Sequence, residues 1–200
     1  MDTQTKTIKT KNKKVIMPSI NSSTIKVQKR DGRQEPLDIN KIHFVVEEAC
    51  EGLPGVSASQ IEMNANIQFY DGMTTKDIQN VLVRSANDLI SLEAPNYQYA
   101  AARLLSYDVR KEAHGQYEYI PLLKLILRNI RSGVYDKTIL DKYTTSEIKR
   151  FNTWIKRERD LKFTYAGLRQ ICDKYLVQDR SSGQIYETPQ DMYMMIAATL

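Results

Sequence analysis

The sequence predicts a mainly α-helical α+β protein: a β-hairpin with a four-helix unit, followed by a second, largely helical segment. Three observations predict it. Apolar residues recur at helical spacing in one segment after another from Ile39 onward. Most of these segments open on a capping residue or a Pro, and several close at a Gly. The short runs Ile25-Lys26-Val27 and Glu35-Pro36-Leu37 flank Arg30-Asp31-Gly32-Arg33, which is hairpin patterning with Gly at the turn.

The elements follow in order. Asp38 caps a helix from Ile39 to Cys50 that sets Ile42, Val45, Val46 and Ala49 on one face. Glu51-Gly52-Leu53-Pro54-Gly55 ends it. Ser57 or Ser59 opens a second helix, running through Ile61, Ala65 and Ile67 to Phe69, and Asp71-Gly72 is a turn. Thr74 with Asp77 reads as a capping box, starting a helix that turns Ile78, Val81, Leu82, Ser85, Leu89 and Ile90 inward. Pro95 precedes a fourth helix, from Tyr97 to Lys111, which Gly115 terminates. This first unit is expected to span residues 24–115.

Residues 116–200 form the second segment. Pro121 suits the first turn of a helix with Leu122, Leu125, Ile126 and Ile130 in a row, closed by Gly133. Thr144 with Glu147 marks another capped helix, carrying Ile148, Phe151 and Trp154. Thr164 to Tyr175 is helical, with Leu168, Ile171 and Cys172 inward. Tyr175-Leu176-Val177 and Gln184-Ile185-Tyr186 form a second hairpin through Arg180-Ser181-Ser182-Gly183. Thr188-Pro189-Gln190-Asp191 is a helix start. That helix runs through Met194 to Leu200 and breaks off in mid-pattern, so the fold is expected to continue.

Charge bounds the function. The net charge of +5 is concentrated in residues 1–23, where five lysines face Asp2 alone; the remainder holds 24 cations and 23 anions. A polar Lys- and Thr-rich tail with few apolar residues is expected to be disordered (residues 1–23), and nucleic acid is not an expected partner of the near-neutral body. No stretch is long and apolar enough for a membrane span, so no membrane partner is expected. Cys50 and Cys172, far apart on apolar helix faces, read as buried thiols of a cytoplasmic protein. His43 and His114 lack nearby carboxylate or Cys partners at ligand spacing, so no metal site is expected. No nucleophile–base pair or acid pair suggests a catalytic residue.

Lys29 and Arg30 at the hairpin turn, with Lys41 in the first turn of the next helix, are the sharpest local signal. Cations beside a helix start suit a polyphosphate, because the first N–H groups and the helix dipole favour anions. A solvated hairpin with scattered charges explains the same spacing, and spacing alone favours it. Thr75 and Lys111 start one helix and end another, so a compact unit can bring them to the hairpin. A cap and a cation at a helix C-terminus is the simpler account of them.

Larger words then outweigh spacing. Val27-Gln28-Lys29-Arg30-Asp31-Gly32, with Glu35, Asp38 and Lys41-Ile42-His43, resembles the opening of an ATP-cone. Gln68-Phe69-Tyr70-Asp71-Gly72, Ala94-Pro95-Asn96-Tyr97-Gln98-Tyr99, His114-Gly115-Gln116-Tyr117-Glu118, Phe163-Thr164-Tyr165 and Gly183-Gln184-Ile185-Tyr186-Glu187 resemble the large (alpha) subunit of class I ribonucleotide reductase, phage-type members included. The likeness runs from about residue 25 to the end.

The resemblance implies an ATP-cone followed by the helical opening of the reductase α/β barrel. It implies ATP or dATP as allosteric effector, with Mg2+. Carried over by motif, Lys29, Arg30 and Lys41 meet the phosphates. Glu35 and Asp38, within the segment Glu35, Pro36, Leu37, Asp38, Ile39, Asn40, Lys41, read base and sugar. Thr75 and Lys111 close the site. Gln79 stands where many members carry His, and Asp38 where many carry Asn, which implies weakened nucleotide binding. The family's catalytic cysteines lie beyond Leu200, so this segment alone is expected to be inactive. Its implied partners are the remainder of the large subunit, against which the Met194-Met195-Ile196 face would pack, and the radical-generating small (beta) subunit. Two other functions fit parts of the sequence: a docking module with a degenerate nucleotide site, and a nucleotide-sensing regulator. The regulator would require four metal-binding cysteines where the sequence has two.

Overall fold

The computed structural model describes residues 25–200, and the tail of residues 1–23 expected to be disordered lies outside them. Strands β1 (Lys26–Gln28) and β2 (Gln34–Pro36) form the expected hairpin, with Val27 opposite Glu35. Gly32 adopts φ 84° at the turn, a left-handed conformation that side chains disfavour, and its N–H closes on Lys29 O at 3.0 Å. A third strand, β3 (Met73–Thr74), was not expected. It pairs parallel to β1 with Val27 beside Met73, giving the order β2-β1-β3. Two residues are too few to show alternation; the Asp71 carboxylate positions them by accepting the Lys26 N–H at 2.7 Å.

Four helices follow: α1 (Ile39–Cys50), α2 (Ala58–Asn66), α3 (Thr75–Asn87) and α4 (Tyr97–His114). Asp38, Ser57 and Thr74 cap the first three, Thr74 in a reciprocal box with Asp77. Two expectations are corrected here. Helix α2 stops at Asn66, short of Phe69, and leaves Ile67 86% exposed. Leu89 and Ile90 lie beyond the end of α3, and Ile90 points outward. Helix α4 is the hub. Ala100, Ala101, Ala102 and Leu104 are fully buried, and the helix packs on α1, α3 and elements after residue 115.

Those later elements are α5 (Leu122–Arg131), α6 (Thr138–Lys142), α7 (Thr145–Trp154), a 3-10 turn (Arg157–Lys162), α8 (Tyr165–Lys174) and α9 (Pro189–Thr199). The sequence showed neither α6 nor the 3-10 turn, both being too short for an apolar period. Trp154 is half exposed, stacked on Phe151 and Arg150, whereas Ile148 is buried. The second hairpin reduces to one bridge, Gln178 to Ile185. Met194 and Met195 pack on a small local core around Leu125, Ile126 and Ile148, leaving Ile196 46% exposed. Leu168, Cys172 and Leu176, in contrast, complete the core of the first unit. Among the described residues no helix is long and apolar enough to cross a membrane.

A buried ionic cluster fastens α9 to the end of α4. Arg157 Nη2 lies 2.6 Å from Asp191 Oδ1, and His114 Nε2 lies 3.2 Å from Asp191 Oδ2, both acid and imidazole being fully buried. His114 Nδ1 accepts the Ile120 N–H at 3.3 Å, so the ring proton belongs on Nε2, facing the acid. His43 also pairs, with Glu62 and with Glu47 one turn on, and Glu47 is a sequence-near carboxylate that the spacing argument passed over. Burial works against the Asp191 charge, but His114 and Arg157 hold the carboxyl far below the usual range.

Asp160, in the same cluster, lacks such support. Burial pushes its carboxyl up to about 7, and Gln190 and Arg157 only partly offset this, with no hydrogen bond completed to either oxygen.

Two stability predictions follow from these opposite signs. Asp191→Ala leaves the partly buried Arg157 and the fully buried His114 without their acid, and urea unfolding at pH 7 is expected to show a loss of about 3–5 kcal/mol. Asp160 is neutral in the folded state below its raised pKa, so its ionisation destabilises the fold as pH rises from about 4 towards 7. Asp160→Asn is therefore expected to melt above the unsubstituted protein at pH 8 and to converge with it only below about pH 4.

Candidate functional site

The β2–α1 segment, α3 and the last turn of α4 enclose a cavity with about 620 Å³ of empty space, open to solvent. Its floor is apolar. Val27 comes from β1, Ile42 and Val45 from α1, and Ile78 and Leu82 from α3. Its wall is charged: Lys29, Glu35, Asp38, Lys41 and Lys111 line it together with Thr75 and Gln79. Pro36 and Leu37 complete the wall. Residues 82 positions apart in the chain thus share one cleft.

The charges are unevenly balanced. Lys29 Nζ pairs with Glu35 Oε2 at 3.3 Å, and Lys41 Nζ with Asp38 Oδ2 at 3.5 Å. Among the described residues no carboxylate comes within ion-pair distance of Lys111. Burial lowers the Lys111 pKa first, and Arg30, Arg110 and Lys29 lower it further, against the opposing charge of Asp108. A half-buried ammonium surrounded by other cations gains from any anion placed beside it.

Side chains take some of the N–H groups at the two helix starts. Asp38 Oδ1 accepts from Asn40 N at 3.0 Å and from Lys41 N at 3.3 Å. The Thr74–Asp77 box takes the Asp77 N–H at the start of α3. An anion here meets the lysine side chains of the wall.

Three expected residues stand apart. Ile39 and Asn40 face a shallow outer depression beside the β2–α1 segment. Arg30 points away into a neighbouring depression with Lys76, Glu112 and Gln184, where its guanidinium meets Asp108 at 2.8 Å. Gln79 does reach the cavity wall, but its Nε2 donates to Leu104 O at 2.8 Å. The apolar floor, and Asp108 as the partner of Arg30, were missed. The floor was legible as helix faces, and Asp108 lies three residues before Lys111 on one helix, so it shares that face.

The chain resembles known proteins in two segments. Residues 25–112 match the ATP cone domain family, and residues 161–200 match the ribonucleotide reductase all-alpha domain family. The chain is 46% identical over 174 residues to ribonucleoside-diphosphate reductase 1 subunit alpha of Escherichia coli (strain K12), covering 87% of this chain and 23% of that protein. It is 43% identical over 178 residues to the ribonucleoside-diphosphate reductase subunit alpha of Enterobacteria phage T4, covering 88% and 23%. The Helicobacter pylori (strain ATCC 700392 / 26695) subunit alpha is 38% identical over 176 residues, covering 88% and 22%. The chain spans about a quarter of the length of these relatives. By these matches the chain carries an ATP cone domain followed by a ribonucleotide reductase all-alpha domain, and its relatives are ribonucleoside-diphosphate reductase alpha subunits.

Proposed function

We propose that the cavity takes ATP or dATP as the allosteric effector of a class I ribonucleoside-diphosphate reductase alpha subunit. The observation that carries this reading is Lys111: a half-buried cation, depressed by burial and by Arg30, at the wall of a cavity that also presents Lys29 and Lys41. The three lysines offset part of the triphosphate charge, while Glu35 and Asp38 accept hydrogen bonds from sugar hydroxyls and the base amino group. Thr75 offers a hydroxyl at the start of α3, and the apolar floor of Ile42, Val45 and Ile78 takes the base.

Mg2+ fits this site only on the phosphates. Among the described residues no group of three His, Cys, Asp or Glu side chains is placed to hold a metal. The ion would neutralise part of the triphosphate charge and leave the lysines to orient it.

In this reading residues 24–115 are the regulatory unit and residues 116–200 the helical start of the barrel domain, joined by the shared core. Reduction of ribonucleotides requires thiols that this segment does not offer, since burial pushes Cys50 up to about 11 and Cys172 up to about 12. The rest of the large subunit and the small beta subunit supply that chemistry, in the cytoplasm. A second reading, a docking module with a degenerate nucleotide site, draws on two observations: Asp38 is committed to capping α1, and the Gln79 amide to Leu104.

Calorimetric titration decides between them. ATP or dATP is expected to bind saturably at one site per chain, and Lys111→Ala to weaken binding at least tenfold, about 1.4 kcal/mol. A chain that binds neither nucleotide leaves the docking module. Glu35→Gln is expected to weaken ATP but to leave inorganic tripolyphosphate unchanged or tighter, because it breaks a base or sugar contact and releases Lys29. Equal loss for both ligands would contradict the role given to Glu35.

A further inference from the structure

Arg30 follows Lys29 in the hairpin turn, yet the two cations serve different places. Lys29 lines the lysine-walled cavity; Arg30 Nη2 instead lies 2.8 Å from Asp108 Oδ1 on α4. The depression that holds Arg30 adjoins the cavity and shares Lys29 and Thr75 with it. A phosphate chain running along the lysines therefore ends beside Arg30 and meets a carboxylate already in place. Carboxylate and phosphate oxygens present the same acceptors to a guanidinium.

We propose that Asp108 is an internal competitor for the triphosphate, holding Arg30 out of the effector site and setting its affinity. The proposal rests on the nucleotide reading of the cavity and assigns an affinity-determining residue within it. Two features support competition over a plain tether between hairpin and helix. Arg30 keeps 42% of its side chain accessible, so the pair can open toward solvent, whereas Asp108 retains 10%. Asp108 also sits in a position that opposes phosphate. It faces Arg30 from the turn, Lys76 from α3, and Lys111 and Glu112 from its own helix; burial raises its pKa first and Arg30 lowers it. An incoming anion must displace this carboxylate from Arg30 and bear its repulsion at Lys111.

A tether and a competitor predict opposite signs. If the pair only braces the hairpin, Asp108→Asn loosens the wall and weakens binding. If Asp108 competes, Asp108→Asn strengthens binding of both ATP and inorganic tripolyphosphate by about tenfold, and Asp108→Ser shows the same gain should the amide variant misfold. The double variant Arg30→Gln/Asp108→Asn then returns to the unsubstituted affinity, because the gain belongs to Arg30.

Calorimetry on the whole chain reads these four proteins and Lys111→Ala. Unchanged or weaker binding in both Asp108 variants, with the loss on Lys111→Ala intact, overturns the competitor and leaves the nucleotide site standing. A gain that persists in the double variant also overturns it, since Asp108 would then act on the lysines alone. If neither the unsubstituted chain nor an Asp108 variant binds ATP, the nucleotide reading falls and the competitor with it.

Discussion

The burial of α4 is the constraint on which the rest of the structure depends. Its run Ala100-Ala101-Ala102, with Leu104, lets α1, α3 and α8 approach closely and leaves the helix no freedom to rotate. Every polar side chain along it then has a fixed direction. Arg103 is turned toward the end of α1, where its guanidinium donates to the carbonyls of Ala49 at 3.2 Å and Glu51 at 2.6 Å, groups a helix end leaves without partners. The same side chain reaches Leu161 O at 3.4 Å, tying the 3-10 turn to the first unit.

The last turn of α4 concentrates charge for the same reason. Lys111 faces the cavity, while Glu112, the next residue, accepts the Ile185 N–H at 3.0 Å and the Lys76 ammonium at 3.4 Å. His114 turns to the Asp191 cluster. Arg110 lies among the rings of Tyr107, Tyr117 and Tyr119, with its carbon 4.0 Å from the Tyr117 centroid. Gly115, at φ 74°, closes the helix immediately afterward. Cavity, second hairpin and α9 are therefore held by neighbouring residues of one rigid helix end.

Local signals located the elements well where the interaction spans three or four residues. Asp38, Thr74, Thr144 and Thr188 each bond backbone groups within their own first turn, and their helices begin where those residues stand. The apolar rows of α1 and α3 likewise gave the floor of the cavity. Ile67 and Ile90 misled because an apolar residue at helical spacing reports a face, and whether a neighbour covers that face is decided elsewhere. Strand β3 gave no signal, since its pairing with Val27 arises from a contact 46 positions away.

The candidate site divides along the same line. The cations Lys29, Lys41 and Lys111 and the acids Glu35 and Asp38 were visible as residues, and the family likeness named them together. Only the tertiary structure decided that Lys111 is desolvated beside other cations, that Asp38 is committed to its helix, and that Arg30 is held by Asp108. Caps, turns and apolar faces are written in short-range geometry, which a sequence carries directly. Ion pairing and desolvation depend on where packed helices bring distant groups, and that distance exists only once α4 is enclosed.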